Sequence, residues 1–167
     1  MSIHLPRLTL LPLAASVGIL AGGTLVGASS LVGASSTVPG KTFTVISQDS
    51  EATIVPEDFF SAPAAARTGI EDAPIYRDGK KVGTAQTVFT MTRAGADDMI
   101  GILVCSVELP EGNLLFDGSF HASEFVTGVA LPVIGGTGDY AGAIGIVTLT
   151  ATADGASTAL AFDIHQP

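Results

Sequence analysis

Tryptophan is absent from this chain, cysteine occurs once, and lysine and arginine together number only seven among 167 residues. Each scarcity removes a class of function. A single thiol, Cys105, can form no disulfide within the chain and no cysteine-built metal site. It reads as a small buried apolar residue. Seven basic residues face sixteen acidic ones, and Lys80-Lys81 is the one basic pair. Phosphate backbones require clustered positive charge, so nucleic acid is not expected as a partner. His4, His121 and His165 have no metal-ligand spacing, and neither a metal nor another cofactor is expected.

Charge of either sign is missing from residues 8–34. That apolar run follows a short start containing His4 and Arg7 and ends among small residues, the layout of a secretory signal peptide. Val26-Gly27-Ala28 and Val32-Gly33-Ala34 each offer the small-x-small pattern at which such leaders are cut. The run is also long enough to span a bilayer, although Gly18, Gly22, Gly23, Gly27 and the serine pairs at 29–30 and 35–36 weaken it as a permanent anchor. A mis-called start or an apolar lid on the folded domain are further readings. Residues 1–40 are therefore assigned as leader and linker, able to engage the membrane or the export machinery, and residues 41–167 as the folded domain. A cleaved leader implies a secreted or periplasmic protein, and a lid or mis-called start a cytoplasmic one.

Beyond residue 40 apolar side chains recur with period two, the mark of strands with one buried face. Phe43 to Ile46 begins the first strand. Residues 58–67 read as a loop or short helix. Asp78-Gly79 turns a hairpin within Ile75–Gly83, since Asp-Gly tolerates positive φ. Strand 83–93 gathers Thr87, Phe89 and Met91 on one face, and strand 99–109 gathers Met99, Leu103, Cys105, Val107 and Leu109. Strand 114–122 does the same with Leu114, Phe116, Gly118 and Phe120, leaving Asp117, Ser119 and His121 opposite. Strand 127–134 is read as ending at Pro132. Strand 143–153 carries Val147 and Leu149 inward, and the last strand Thr158, Leu160, Phe162 and Ile164. About eight short strands with tight turns and no amphipathic helix fit a closed barrel or a sandwich equally.

The run Leu131-Pro132-Val133-Ile134-Gly135-Gly136-Thr137-Gly138-Asp139-Tyr140-Ala141-Gly142-Ala143-Ile144-Gly145 resembles the GGTG.YAG.G segment that joins two strands in the allene oxide cyclase and dirigent barrels. Asp72 to Thr84 is similar to that family's "D.PIYD.DGK.VG" strand pair, and Leu109-Pro110-Glu111-Gly112-Asn113-Leu114 to its "LP.G.L" hairpin. The resemblance spans residues 72–164. It implies an all-β fold, a single eight-stranded antiparallel barrel preceded by the apolar leader. It also implies relatives that cyclise oxylipins, steer radical coupling, or close spirotetronate polyketides by a [4+2] reaction. Dimers or trimers through outer faces such as Val88, Ile100, Ile102 and Val104 are a further implication. Tyr140 is expected to plug one end. The glycine run lacks the Lys-Ser/Thr ending of a phosphate loop.

On this reading Phe89, Met91, Leu103, Cys105, Phe116, Phe120, Leu149 and Phe162 line the lumen and contact a hydrophobic small molecule. No carboxylate, histidine, lysine or arginine falls on the inner faces, so no catalytic residue is assigned and the interior is expected to act by shape. Glu51, after the first strand, is the one acid whose facing the alternation leaves open; Arg93 and Glu108 lie near strand ends. The pairs Glu57-Asp58, Glu71-Asp72 and Asp97-Asp98 read as solvated loop acids. Three functions remain: a cyclase or isomerase of specialised metabolism for a polyene, polyketide or oxylipin-like substrate, an exported dirigent-like carrier that binds without reaction, and an exported structural or interaction domain whose barrel is filled by its own side chains. Intact-mass measurement of the protein from its own host tests the leader. A mature chain starting at Ser29 or Ser35 is expected, and a full-length mass overturns cleavage.

Overall fold

The computed structural model describes residues 40–59, 66–93 and 99–166. The chain divides into units Met1–Ser35 and Ser36–Pro167, and all described residues belong to the second. Apart from Gly40, the leader assigned to residues 1–40, with His4, lies outside the described residues, as do Asp97 and Asp98.

Among the described residues nine strands run β1 Lys41–Ser47, β2 Thr53–Val55, β3 Thr68–Arg77, β4 Lys80–Arg93, β5 Ile100–Leu109, β6 Gly112–His121, β7 Val129–Gly136, β8 Ile144–Ala151 and β9 Thr158–His165. From β3 to β9 each strand pairs antiparallel with the next, and β1 pairs along its whole length with β9. β1 then returns to β3 through Ile46 opposite Tyr76 and Ser47 opposite Ile75. The eight strands β1 and β3–β9 close into a barrel; β2 lies beside β3 as a short addition. Closure leaves no free edge along the ring.

The alternation expected from the sequence recurs as alternating burial. β5 buries Leu103, Cys105, Val107 and Leu109 while Ile102, Val104 and Glu108 face out. In the β3–β4 hairpin Asp78 and Gly79 take φ of 52° and 73°, as a two-residue turn between twisted strands requires. Two expectations need correction. β3 begins at Thr68, so Glu71 and Asp72 sit within a paired strand rather than a loop. β7 runs through Pro132 to Gly136. The proline is tolerated because β6 and β7 pair only at Leu114, Leu115 and Phe116, with a bulge between the last two, so no ladder bond on that side needs its missing N–H.

One end of the barrel is packed shut. The Gly138–Tyr140 turn drives Tyr140 inward until it is 1% exposed. Its ring stacks on Phe43 at 5.8 Å, Phe43 stacks on Phe162 at 5.0 Å, and Phe162 meets Phe116 edge-on at 6.1 Å. Lys41 Nζ lies 4.5 Å from the Tyr140 ring centroid, a cation–π contact. Arg77 Nη1 bonds Glu111 Oε1 at 2.6 Å close by, and the ion pair holds the Glu111 carboxyl below its usual range. Gly136 is required here, since a Cβ at that position would stand 2.4 Å from the Tyr140 carbonyl oxygen. The plug expected from the sequence is therefore present, built from four aromatic rings. Tyr140→Ala is expected to cost about 3–5 kcal/mol by opening a cavity in this stack. Urea unfolding measures it, and a loss below about 1 kcal/mol would show the plug to be dispensable.

Candidate functional site

Opposed residues on antiparallel strands point to the same side of the sheet, so the register arranges the interior in rows. One row runs Ile54, Glu71, Thr87, Cys105, Phe116 across β2, β3, β4, β5 and β6. The next contains Phe89 and Leu103, and the one beyond it Met91, Gly101 and Phe120. Toward the aromatic plug the rows fill with Ile75, Val107 and Leu114, all under 1% exposed. Toward the opposite end, which carries the β6–β7 and β8–β9 connections, they do not fill. A cavity of about 440 Å³ remains there, within the size range of small-molecule sites.

The vacancy follows from side-chain size. Thr87, Cys105, Ala85 and Thr158 are small for an inner barrel face and leave volume opposite them. The glycines in the adjoining rows do not add to it. Phe120 occupies the space over Gly101, where a Cβ would lie 2.6 Å from its ring, and Phe59 does the same over Gly69. Phe120 in turn meets Phe125 edge-on at 5.4 Å, so the Ala122–Val126 turn supplies part of the wall.

Of the eight residues expected to line the lumen, Phe89, Met91, Leu103, Cys105, Phe116, Phe120 and Leu149 border the cavity. Phe162 does not. It is buried in the plug between Phe43 and Phe116, because strand tilt carries the C-terminal half of β9 to the closed end. Cys105 is 3% exposed and accepts a hydrogen bond from Thr87 Oγ1 at 3.3 Å. Burial pushes its thiol up to about 12, so it remains protonated and unreactive at neutral pH.

The expectation that no carboxylate, histidine, lysine or arginine reaches the interior is wrong for carboxylates. Two carboxylates, Glu71 and Asp49, border the cavity. Glu71 faces inward because it shares β3's inner face with Gly69, Ala73 and Ile75. Asp49 arrives differently. The chain breaks regular pairing after Ser47, turns through Asp49–Glu51 and resumes pairing at Thr53. Backbone bonds from Gln48 N to the Pro74 carbonyl and from Ser50 N to the Ala156 carbonyl, both 3.0 Å, pin that turn. Thr158 Oγ1 donates to Asp49 Oδ2 at 2.7 Å. Desolvation raises the Asp49 carboxyl despite this bond. Desolvation, reinforced by the nearby Asp49 charge, raises Glu71 to about 7, where a carboxyl can give or take a proton near neutrality.

Extending the alternation back from Ile75 would have reached Glu71; nothing periodic marks Asp49. Glu51, the acid whose facing the sequence leaves open, is exposed and accepts a hydrogen bond from the Tyr76 hydroxyl at 3.1 Å. Arg93, Glu108, His121 and His165 are exposed.

The model of the allene oxide cyclase barrel-like domain matches residues 66–161. Among solved structures, a pyocyanin demethylase superposes with a TM-score of 0.60 at 18% identity, over 74% of this chain and 99% of that one. A nonspecific heme-binding cyclase that catalyses [4+2] cycloaddition during neoabyssomicin biosynthesis gives 0.59 at 13%, over 78% and 68%. The Diels–Alderase AbmU from Streptomyces koyangensis gives 0.57 at 13%, over 80% and 72%. At such identities the likeness is one of fold. No curated protein matches by sequence.

A buried carboxyl raised from 4.5 to about 7 binds more protons folded than unfolded between those values. Stability therefore falls as pH rises through that window, and the full cost is present above it. Glu71→Gln removes the ionisable group. It is expected to be more stable than the parent by on the order of 2–3 kcal/mol at pH 8 and indistinguishable at pH 4. Urea unfolding at both pH values reads this, and an equal difference at the two would show that the carboxyl is not buried as described.

Proposed function

The chain belongs to the allene oxide cyclase barrel-like family, and on that footing we propose that it is a cyclase or isomerase that folds a hydrophobic small molecule inside its barrel. The carrying observation is the vacant space itself: about 440 Å³ lined mainly by apolar side chains, with one carboxylate pair on its wall. Holding a flexible polyene or polyketide in a reactive conformer replaces an entropic barrier with binding energy, and a cyclisation without proton transfer needs nothing else. Where a proton must move, Glu71 stands in the wall with a pKa of about 7. The family's fold hosts [4+2] cyclases and a demethylase, which supports a cyclase-type enzyme by analogy of fold.

A second reading, an exported dirigent-like carrier, is favoured by one feature, the uncharged residues 8–34. The two readings separate on mass. Cyclisation and isomerisation conserve it, so deleting the gene from its host is expected to replace one metabolite by an isomer of equal mass. A carrier instead changes where an unaltered compound accumulates. Complementation with Phe116→Trp, which fills the cavity, is expected to lower conversion about ten-fold or more while circular dichroism stays unchanged. An unaltered isomer ratio in both the deletion strain and the complemented strain overturns the enzymatic reading.

A further inference from the structure

The cavity wall carries charge of one sign only. Asp49 and Glu71 border it, and no lysine, arginine or histidine does so among the described residues. Asp49 is partly satisfied, by Thr158 at 2.7 Å and by Ser47. Glu71 is not so placed. Its neighbours along the row are Ile54 on β2 and Thr87 on β4, and the Thr87 hydroxyl donates its proton to the Cys105 sulfur instead. The other titratable group on the wall, Cys105, is a neutral thiol. A largely apolar, partly open pocket thus has one edge where two acids stand together with no balancing cation among the described residues.

Burying an unpaired carboxylate is costly, and a matching charge within the same low-dielectric space recovers that cost. Seen from a ligand, the same field stabilises a cation or a strong hydrogen-bond donor and repels an anion. We infer that the cavity selects hydrophobic molecules that carry a positively charged nitrogen, seated against Glu71 and Asp49, and rejects those that carry a carboxylate. The inference rests on the reading of the cavity as a small-molecule site and narrows its substrate class. Fatty-acid-derived substrates with a free carboxylate fall outside it; amines and charged nitrogen heterocycles fall within it.

Three probes with one bicyclic body test this: 1-naphthylmethylamine as cation, 1-naphthylmethanol as neutral partner, and 1-naphthoate as anion. Binding of each to the full chain is measured by calorimetry at pH 8 and pH 5. At pH 8 the amine is expected to bind about ten-fold or more tighter than the alcohol, and the naphthoate not measurably. At pH 5, where Glu71 is protonated, the preference for the amine shrinks. Glu71→Gln is expected to abolish most of the preference for the amine over the alcohol at pH 8, and Asp49→Asn to reduce it. Equal affinities for amine and alcohol, binding of naphthoate as tight as either, or an undiminished preference in Glu71→Gln overturn the selectivity and leave the small-molecule reading standing. Absence of binding by all three overturns both.

Discussion

The closure between β1 and β3 governs the rest of this barrel. All of β1 pairs with β9, yet β1 meets β3 at only two positions before the chain leaves the ladder. Had β1 continued along β3, its inner-facing side chains would have entered the interior and the barrel would have been packed throughout, as eight-stranded barrels can be. Instead the chain turns through Asp49–Glu51 and rejoins β3 as the three-residue β2. The seam is held by Gln48, Ser50, Ser157 and Thr158 rather than by ladder bonds alone. The interior beside it receives a carboxylate in place of an apolar side chain.

The two ends of the lumen are built on opposite principles. At the closed end, Tyr140, Phe43 and Phe162 stack in series and Phe162 meets Phe116 edge-on, which buries large apolar surface. Away from the plug, Thr87, Cys105, Ala85 and Thr158 interrupt an inner face that also carries Phe89, Met91, Leu103 and Phe120, and the cavity is what their small volumes leave. A packed end fixes strand positions, and the small-residue end forgoes packing energy. Buried acids beside empty volume break the ordinary rules of a stable core, and functional sites are where such breaks concentrate.

Much of this was legible in advance because strand burial has period two. Phe89, Met91, Leu103, Cys105, Phe116, Phe120 and Leu149 all border the cavity as their alternation predicts. The Asp78-Gly79 turn and the Tyr140 plug follow from local chemistry that tertiary contacts only confirm. Phe162 shows the limit. Alternation says which face a residue occupies, not its height along a tilted strand, and Phe162 lies on the right face at the wrong level. Glu71 shows another. An acid beside a second acid reads as a turn until the strand is extended through it, and only pairing with Thr87 on β4 demonstrates that extension.

The sequence by itself determined the hairpins and the inward set of apolar side chains, because these depend on residue type at fixed short spacing; barrel rather than sandwich it carried only through the resemblance of Leu131–Gly145 to a known family. The tertiary structure alone decided that the barrel is not filled, that its vacant part lies away from Tyr140, and that Asp49 and Glu71 meet there. Those outcomes depend on strand tilt, on where β1 leaves its ladder, and on which small side chains fall in the same row. They are relations between residues 22 positions apart in sequence that share a place only after the ring has closed.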